Sequence, residues 1–280
     1  MIRVLVDSSS DYTQEEIKEK GLAMVSLMIT LAGKSYKGGV DLEGDRFYEL
    51  MEETGEFPKT SQPSPQDFLD IFREVKEQGD ELICILLSSS LSGTYQSATL
   101  AKSMVEYEKI YLIDSLTATH MIRVLTEYTL QRIQEGVEAA AIVEKLEQLK
   151  SHVKVAAMVD TLEYLCKGGR VSRATAAIGE VARIKPLITV NEEGEVSVWG
   201  KALGKNKAIG SIMKLLESKE LNPEFPLYSL YTYGTENCEA FEQRLEKDGY
   251  HPQMRLQVGA TIGTHVGPGV FGVVYVMNAQ

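Results

Sequence analysis

Leu82-Ile83-Cys84-Ile85-Leu86-Leu87-Ser88-Ser89-Ser90-Leu91-Ser92-Gly93-Thr94 joins an apolar run to a hydroxyl-rich turn. Leu82 to Leu87 reads as a strand, and the segment from about Thr94 to Val105 as the helix after it. Ile110 to Ile113 forms the next strand and stops at Asp114-Ser115. Upstream, Ile2 to Val6 ends at Asp7-Ser8-Ser9-Ser10-Asp11, whose residues favour turns and helix caps. Thr13 to Lys20 reads as a helix closed by Gly21, and Leu22 to Thr30 as a second strand. Asp45 to Glu53 reads as a short helix, and Ser64-Pro65-Gln66-Asp67 starts another with Ser as N-cap and Pro at N1. Such alternation predicts a mainly parallel sheet covered by helices on both faces.

Two further helices, Ala118 to Gln134 and Glu138 to Leu149, precede a change of character near Ser151. The expected division is an N-terminal α/β domain over residues 1–151 and a C-terminal α+β domain over 152–280. The second part opens with a strand over Lys154 to Val159 and a helix over Leu162 to Lys167. Pro186 to Val190 and Glu195 to Trp199 flank Asn191-Glu192-Glu193-Gly194, which is hairpin chemistry. Helices near Ile209 to Leu216 and Asn237 to Lys247 alternate with strands near Leu227 to Tyr233, Gln253 to Val258 and Val270 to Met277.

In 280 residues, 44% hydrophobic and 25% charged, there is apolar material for a sizeable core and some left for a ligand cavity. The 29 Lys and Arg face 40 acidic residues, a net charge of -11 that argues against a diffuse nucleic-acid footprint. An anionic ligand must therefore be held by local donors. The longest apolar runs fall far short of the ~20 residues of a membrane helix. Met1 to Asp7 turns polar before a signal-peptide core could form, so the cytosol is the expected location. Cys84, Cys166 and Cys238 lack a CxxC pair, and the histidines lack HExxH spacing, which argues against disulfides and a metal centre.

Ligand sites in parallel sheets gather at the carboxyl ends of strands, where Asp7 to Asp11, Ser88 to Ser92 and Asp114-Ser115 all fall. Each cluster alone also reads as ordinary capping. Ser88 to Gly93 offers hydroxyls and backbone N–H groups at a helix start, an anion site without the GxxxxGK[ST] of a phosphate loop. Gly267 to Gly272 matches GxGxxG, but eight residues remain after it, too few for a dinucleotide-binding unit; its glycines suit a tight turn carrying His265 on its flank. No serine lies in GxSxG, and an unactivated serine beside a carboxylate donates a hydrogen bond and attacks nothing. Lys167, Arg170, Arg173, Arg183 and Lys185 form a basic concentration suited to a phosphate or acidic partner, or else a solvated basic turn.

Taken in order, Asp7-Ser8-Ser9-Ser10-Asp11, Thr60-Ser61-Gln62-Pro63-Ser64-Pro65, Ser88 to Thr94, Asp114-Ser115, Lys167-Gly168-Gly169-Arg170, Lys185-Pro186-Leu187 and Ile262 to Gly269 resemble the DegV family nearly end to end. Its better understood members are fatty-acid-binding subunits of bacterial fatty acid kinase. The resemblance implies a long-chain fatty acid between two α/β domains, its carboxylate held by Thr60, Ser92, Gly93 and His265, with Ser61, Asp114 and Ser115 in support. Arg170 would serve the encounter with an ATP-binding kinase subunit that makes the acyl phosphate. The chain itself would then need no catalytic residue, cofactor, metal or nucleic acid, and lipid exchange would allow peripheral membrane contact. Relatives are arginine-rich where this chain has Lys201 to Lys207, so Leu203 and Lys205 bear on partner choice. A serine esterase or thioesterase using Ser92 and a lipid-sensing adaptor are the alternatives.

Overall fold

The computed structural model describes residues 1–42, 44–176 and 183–278; Ala279 and Gln280 of the β-type ending lie outside them. Strands of the first part are β1 (Ile2–Asp7), β2 (Ala23–Val25), β3 (Met28–Leu31), β4 (Lys34–Lys37), β5 (Lys59–Ser61), β6 (Glu81–Leu86) and β7 (Ile110–Asp114). Those of the second are β8 (Val153–Met158), β9 (Ile184–Val190), β10 (Val196–Leu203), β11 (Tyr228–Tyr231), β12 (Met254–Gln257) and β13 (Phe271–Val276).

The first sheet runs β2-β1-β6-β7, all parallel. Its central strand β6 is buried on both faces: Leu82, Cys84 and Leu86 pack with Phe68 and Phe72 of the helix Pro65–Gln78, while Ile83 and Ile85 face the opposite way. The helix starts where its sequence says, since Ser64 and Asp67 each cap the other's backbone N–H, an arrangement worth about 1 kcal/mol. The second sheet runs β10-β9-β8-β13-β11-β12 and is mixed, with only β11 and β12 parallel. Side chains from both sheets, among them Val6, Ile83, Ile85, Val155, Ala157 and Val274, share one apolar cluster. The fold is thus two-domain α/β, and the parallel sheet of its first part is the one the alternation predicts.

Two expectations need correction. Leu22 to Thr30 is not one strand: β2 stays in the parallel sheet, whereas β3 leaves it for a small antiparallel sheet of order β4-β3-β5. The break comes where Leu27 gives its N–H to the Ser8 hydroxyl, at 3.0 Å, instead of to a strand partner. His265 does flank the glycine bend of Gly267 to Gly269, but from the last turn of a helix, Ala260–Val266, where no helix was expected. That helix contains Thr261, Ile262, Gly263, Thr264 and Val266, weak helix formers that hide it in the sequence. Packing holds it, because Gly263 lies so close to Tyr48 and Phe47 that a Cβ there would collide with the Tyr48 hydroxyl.

Candidate functional site

A cavity lies between the two sheets, walled by Leu27, Leu87 and Met121 from the first part and Val155, Ile188 and Val258 from the second. It has about 810 Å3 of atom-free space, its mouth included, little of it wide enough to admit a water molecule. It is a narrow slot rather than a chamber. Thr60, Ser92, Arg170 and His265 supply polar groups to its lining, from two separated stretches of the first part and two of the second.

Thr60 is carried on β5 opposite Ile29, and its hydroxyl lies 2.7 Å from His265 Nε2. Burial, and then the Arg170 cation, push the imidazole pKa down to about 4, so the ring is neutral at pH 7. Its Nδ1 is buried without a hydrogen-bond partner among the described residues. Gly168 makes room for the ring, since a Cβ there would run into Nδ1. Arg170 reaches across the two parts: Nε and Nη2 donate to Leu91 O at 3.0 and 2.9 Å, and Nη1 donates to Gly168 O. Burial lowers its pKa.

Most N–H groups of the Ser88 to Gly93 turn are already engaged, contrary to the sequence expectation. Ser89 N donates to Asp114 Oδ1, Ser90 N to the Ser88 hydroxyl, and Leu91 N and Ser92 N to Ser88 O. Among the described residues, only the Gly93 N–H of this turn finds no acceptor. The Ser92 hydroxyl lies 2.8 Å from that of Thr94. A hydroxyl pair, one N–H, a neutral imidazole and a guanidinium beside an apolar slot suit an anionic head on an apolar tail. They do not suit acyl-enzyme chemistry: His265 bonds Thr60 rather than Ser92, and no Ser92–histidine hydrogen bond exists among the described residues.

Ser61, Gly93, Asp114 and Ser115 stand outside the lining, Gly93 directly after Ser92, which is in it. Ser61 is exposed opposite Met28. Asp114 Oδ1 accepts from Ser89 N and Leu116 N, and buried Ser115 bonds Thr117, so both shape the turns behind the mouth. Sequence reasoning passed over Gln62, which donates to the Ser97 hydroxyl at 3.1 Å and lies so close over Gly93 that a Cβ there would collide with its amide. The TSQP segment was the available signal. Of the basic residues, Lys167 pairs with Glu163 and sits over the Phe57 ring, and Lys185 pairs with Asp160. Gly267 to Gly272 leads from a helix into β13, the reverse of a dinucleotide fingerprint. Among the described residues no cluster of three His, Cys, Asp or Glu could hold a metal, and no helix is long and apolar enough to cross a membrane.

The model of a family of uncharacterised proteins named DegV matches residues 1–278. The chain belongs to the DegV family. A DegV domain-containing protein of Caldanaerobacter subterraneus subsp. tengcongensis is 35% identical over 276 residues, covering 98% of each chain. Among solved structures, a fatty-acid-binding DegV family protein from Thermus thermophilus superposes with a TM-score of 0.87 at 30% identity, over 99% of each chain. A stearic-acid-binding protein from Eubacterium ventriosum gives 0.87 at 27% identity, over 99% of this DegV chain and 98% of its own.

Proposed function

We propose that this DegV protein is a cytoplasmic carrier that encloses one long-chain fatty acid between its two parts, divided near Ser151. It presents the carboxylate to a separate ATP-binding kinase subunit for acyl phosphate formation and catalyses nothing alone. The observation that carries this reading is the narrow apolar slot edged by Thr60, Ser92, Arg170 and His265. About fourteen buried methylenes, at ~0.8 kcal/mol each, offer roughly 11 kcal/mol before ordering and desolvation are charged against them. Hydrogen bonds to the carboxylate of about 1.5 to 3 kcal/mol each offset the several kcal/mol of burying its charge. Thr60, Ser92, the Gly93 N–H and His265 are the donors for that head, and brief membrane contact allows lipid exchange.

The kinase part of the reading is supported by Arg170, a half-buried cation at the head end of the slot where two anions must meet during phosphoryl transfer. Lipid affinity and ATP-dependent acyl phosphate, measured in parallel with a cognate kinase, test it. Arg170→Ala is expected to keep fatty acid affinity within about threefold and lose at least about tenfold in acyl phosphate. Equal loss of both would place Arg170 in the head site alone, and full activity would make it a structural tie between Leu91 and Gly168.

A further inference from the structure

One wall of the cavity is fastened far more weakly than the rest. β9 pairs with β8 only at Ile188 with Ala157 and Leu187 with Met158. Beyond Ile188, Thr189 and Val190 pair only with Ser197 and Val196 of β10, itself the edge of the sheet. Residues 189–197 therefore form a two-stranded arm, and the Thr189 hydroxyl, donating to Val155 O at 2.6 Å, ties it back to β8. A two-stranded ribbon is marginal without further support. At the arm's base the register slips between Val198 and Gly200, a bulge of the kind that bends strands, while Trp199 Nε1 donates to Ile188 O at 3.1 Å.

Val190 and Val196 of the arm line the cavity, so displacing the arm opens it. The tip holds its own shape, with Glu195 N donating to Asn191 Oδ1 at 2.8 Å and Gly194 N to Asn191 O at 3.1 Å. Two hydroxyls of the first part fasten this tip: Ser88 Oγ donates to Gly194 O at 2.8 Å and Ser90 Oγ to Glu193 O at 2.7 Å. Gly194 has φ +76° and lies so close to Ser88 and Leu116 that a Cβ there would collide with the Ser88 hydroxyl and crowd Leu116. Glu192 and Glu193 are exposed, so they stay solvated when the tip lifts.

We propose that the β9–β10 arm is the gate through which an acyl chain is loaded and released, and that Ser88 and Ser90 are its latch. The proposal rests on the fatty acid reading above. Losing the latch weakens closure equally with and without ligand, so rates rise in both directions while equilibrium affinity holds.

Stopped-flow exchange of cis-parinaric acid tests this in wild type, in Ser88→Ala/Ser90→Ala, and in Ser90→Cys/Glu193→Cys made in a Cys166→Ser background. The double alanine variant is expected to load and release about tenfold faster, with Kd within about twofold of wild type. The oxidised cysteine pair is expected to slow both steps about tenfold, with reductant restoring them; should the pair not oxidise, the alanine variant decides alone. Unchanged rates would overturn the gate and leave the fatty acid reading standing, as would a faster release matched by an equal loss of affinity. Wild type that takes up no cis-parinaric acid would overturn that reading and the gate with it.

Discussion

The Asp7 to Asp11 turn and the Ser88 to Gly93 turn follow neighbouring strands of one parallel sheet, and both are dense in hydroxyls. Their fates differ. Asp7 Oδ2 accepts from Leu87 N at 2.7 Å and its Oδ1 from Ser9 N at 2.8 Å; Ser8 bonds Leu27 N and Thr261, and Asp11 Oδ2 accepts from Thr119 at 2.6 Å. Thr119 and Thr261 line the cavity on their other side, so this turn is the back of the cavity wall. At the mouth, by contrast, His265 Nδ1 of the lining and the Gly93 N–H next to lining residue Ser92 are left over among the described residues. Polar density does not make a site; polar groups left over at the edge of a cavity do. The first turn keeps a loose atom too, Asp11 Oδ1, but there burial raises the pKa to about 7, so a proton can answer it.

Removing the framework turn should give the largest effect. Asp7→Ala leaves the Leu87 and Ser9 N–H groups buried without an acceptor and is expected to cost about 3 kcal/mol or more in urea unfolding. Fatty acid affinity of the folded fraction should stay within about twofold; a stable variant with lost affinity would make Asp7 part of the site. At the mouth the pattern reverses. Thr60→Val and His265→Gln are each expected to weaken fatty acid binding about tenfold with little change in Tm, and the double variant less than the product of the two. Titration calorimetry would show it, and unchanged affinity in both single variants would move the head elsewhere.

The two regions also carry opposite pH signs. Asp11 is raised from 3.8 to about 7, so its contribution to stability is full below about pH 4 and lost as pH rises through about 7. Burial is the leading cause, outweighing the Thr119 hydrogen bond. Asp11→Asn should therefore match wild type near pH 4 and exceed it by a growing margin that levels off above about pH 7. His265 is depressed from 6.5 to about 4, so its contribution is full above pH 6.5 and lost as pH falls through about 4. His265→Gln should accordingly remove part of the acid lability between those values. Urea midpoints from pH 4 to pH 8 read both, and parallel curves for the two variants would erase the contrast. The smallest effect belongs to Ser61→Ala, an exposed position, expected within about 0.5 kcal/mol of wild type and unaltered in affinity; a measurable loss of lipid would return Ser61 to the site.

The parallel sheet was legible because β6 is a continuous apolar run closed by turn residues, and because Ser64 and Asp67 write a helix start into the chain. The hairpin of β9 and β10 was legible from Asn191 and Gly194. The split between β2 and β3 was hidden, since the hydroxyl that causes it belongs to Ser8, nineteen residues away. Likewise the helix carrying His265 owes its form to Tyr48 and Phe47 and not to its own weak helix formers. Thr60 and His265 meet across 205 positions, and only the family resemblance brought them together in advance. Which donors are already engaged is a tertiary fact: Ser88 looks like a ligand group in the sequence and is bonded to Gly194 in the fold.

Mass spectrometry of a solvent extract from the purified native protein, quantified against protein concentration, tests the carrier most directly. About one equivalent of a long-chain fatty acid is expected, and delipidated protein should take up one equivalent again. Native protein that is free of lipid and also refuses added fatty acid would contradict it.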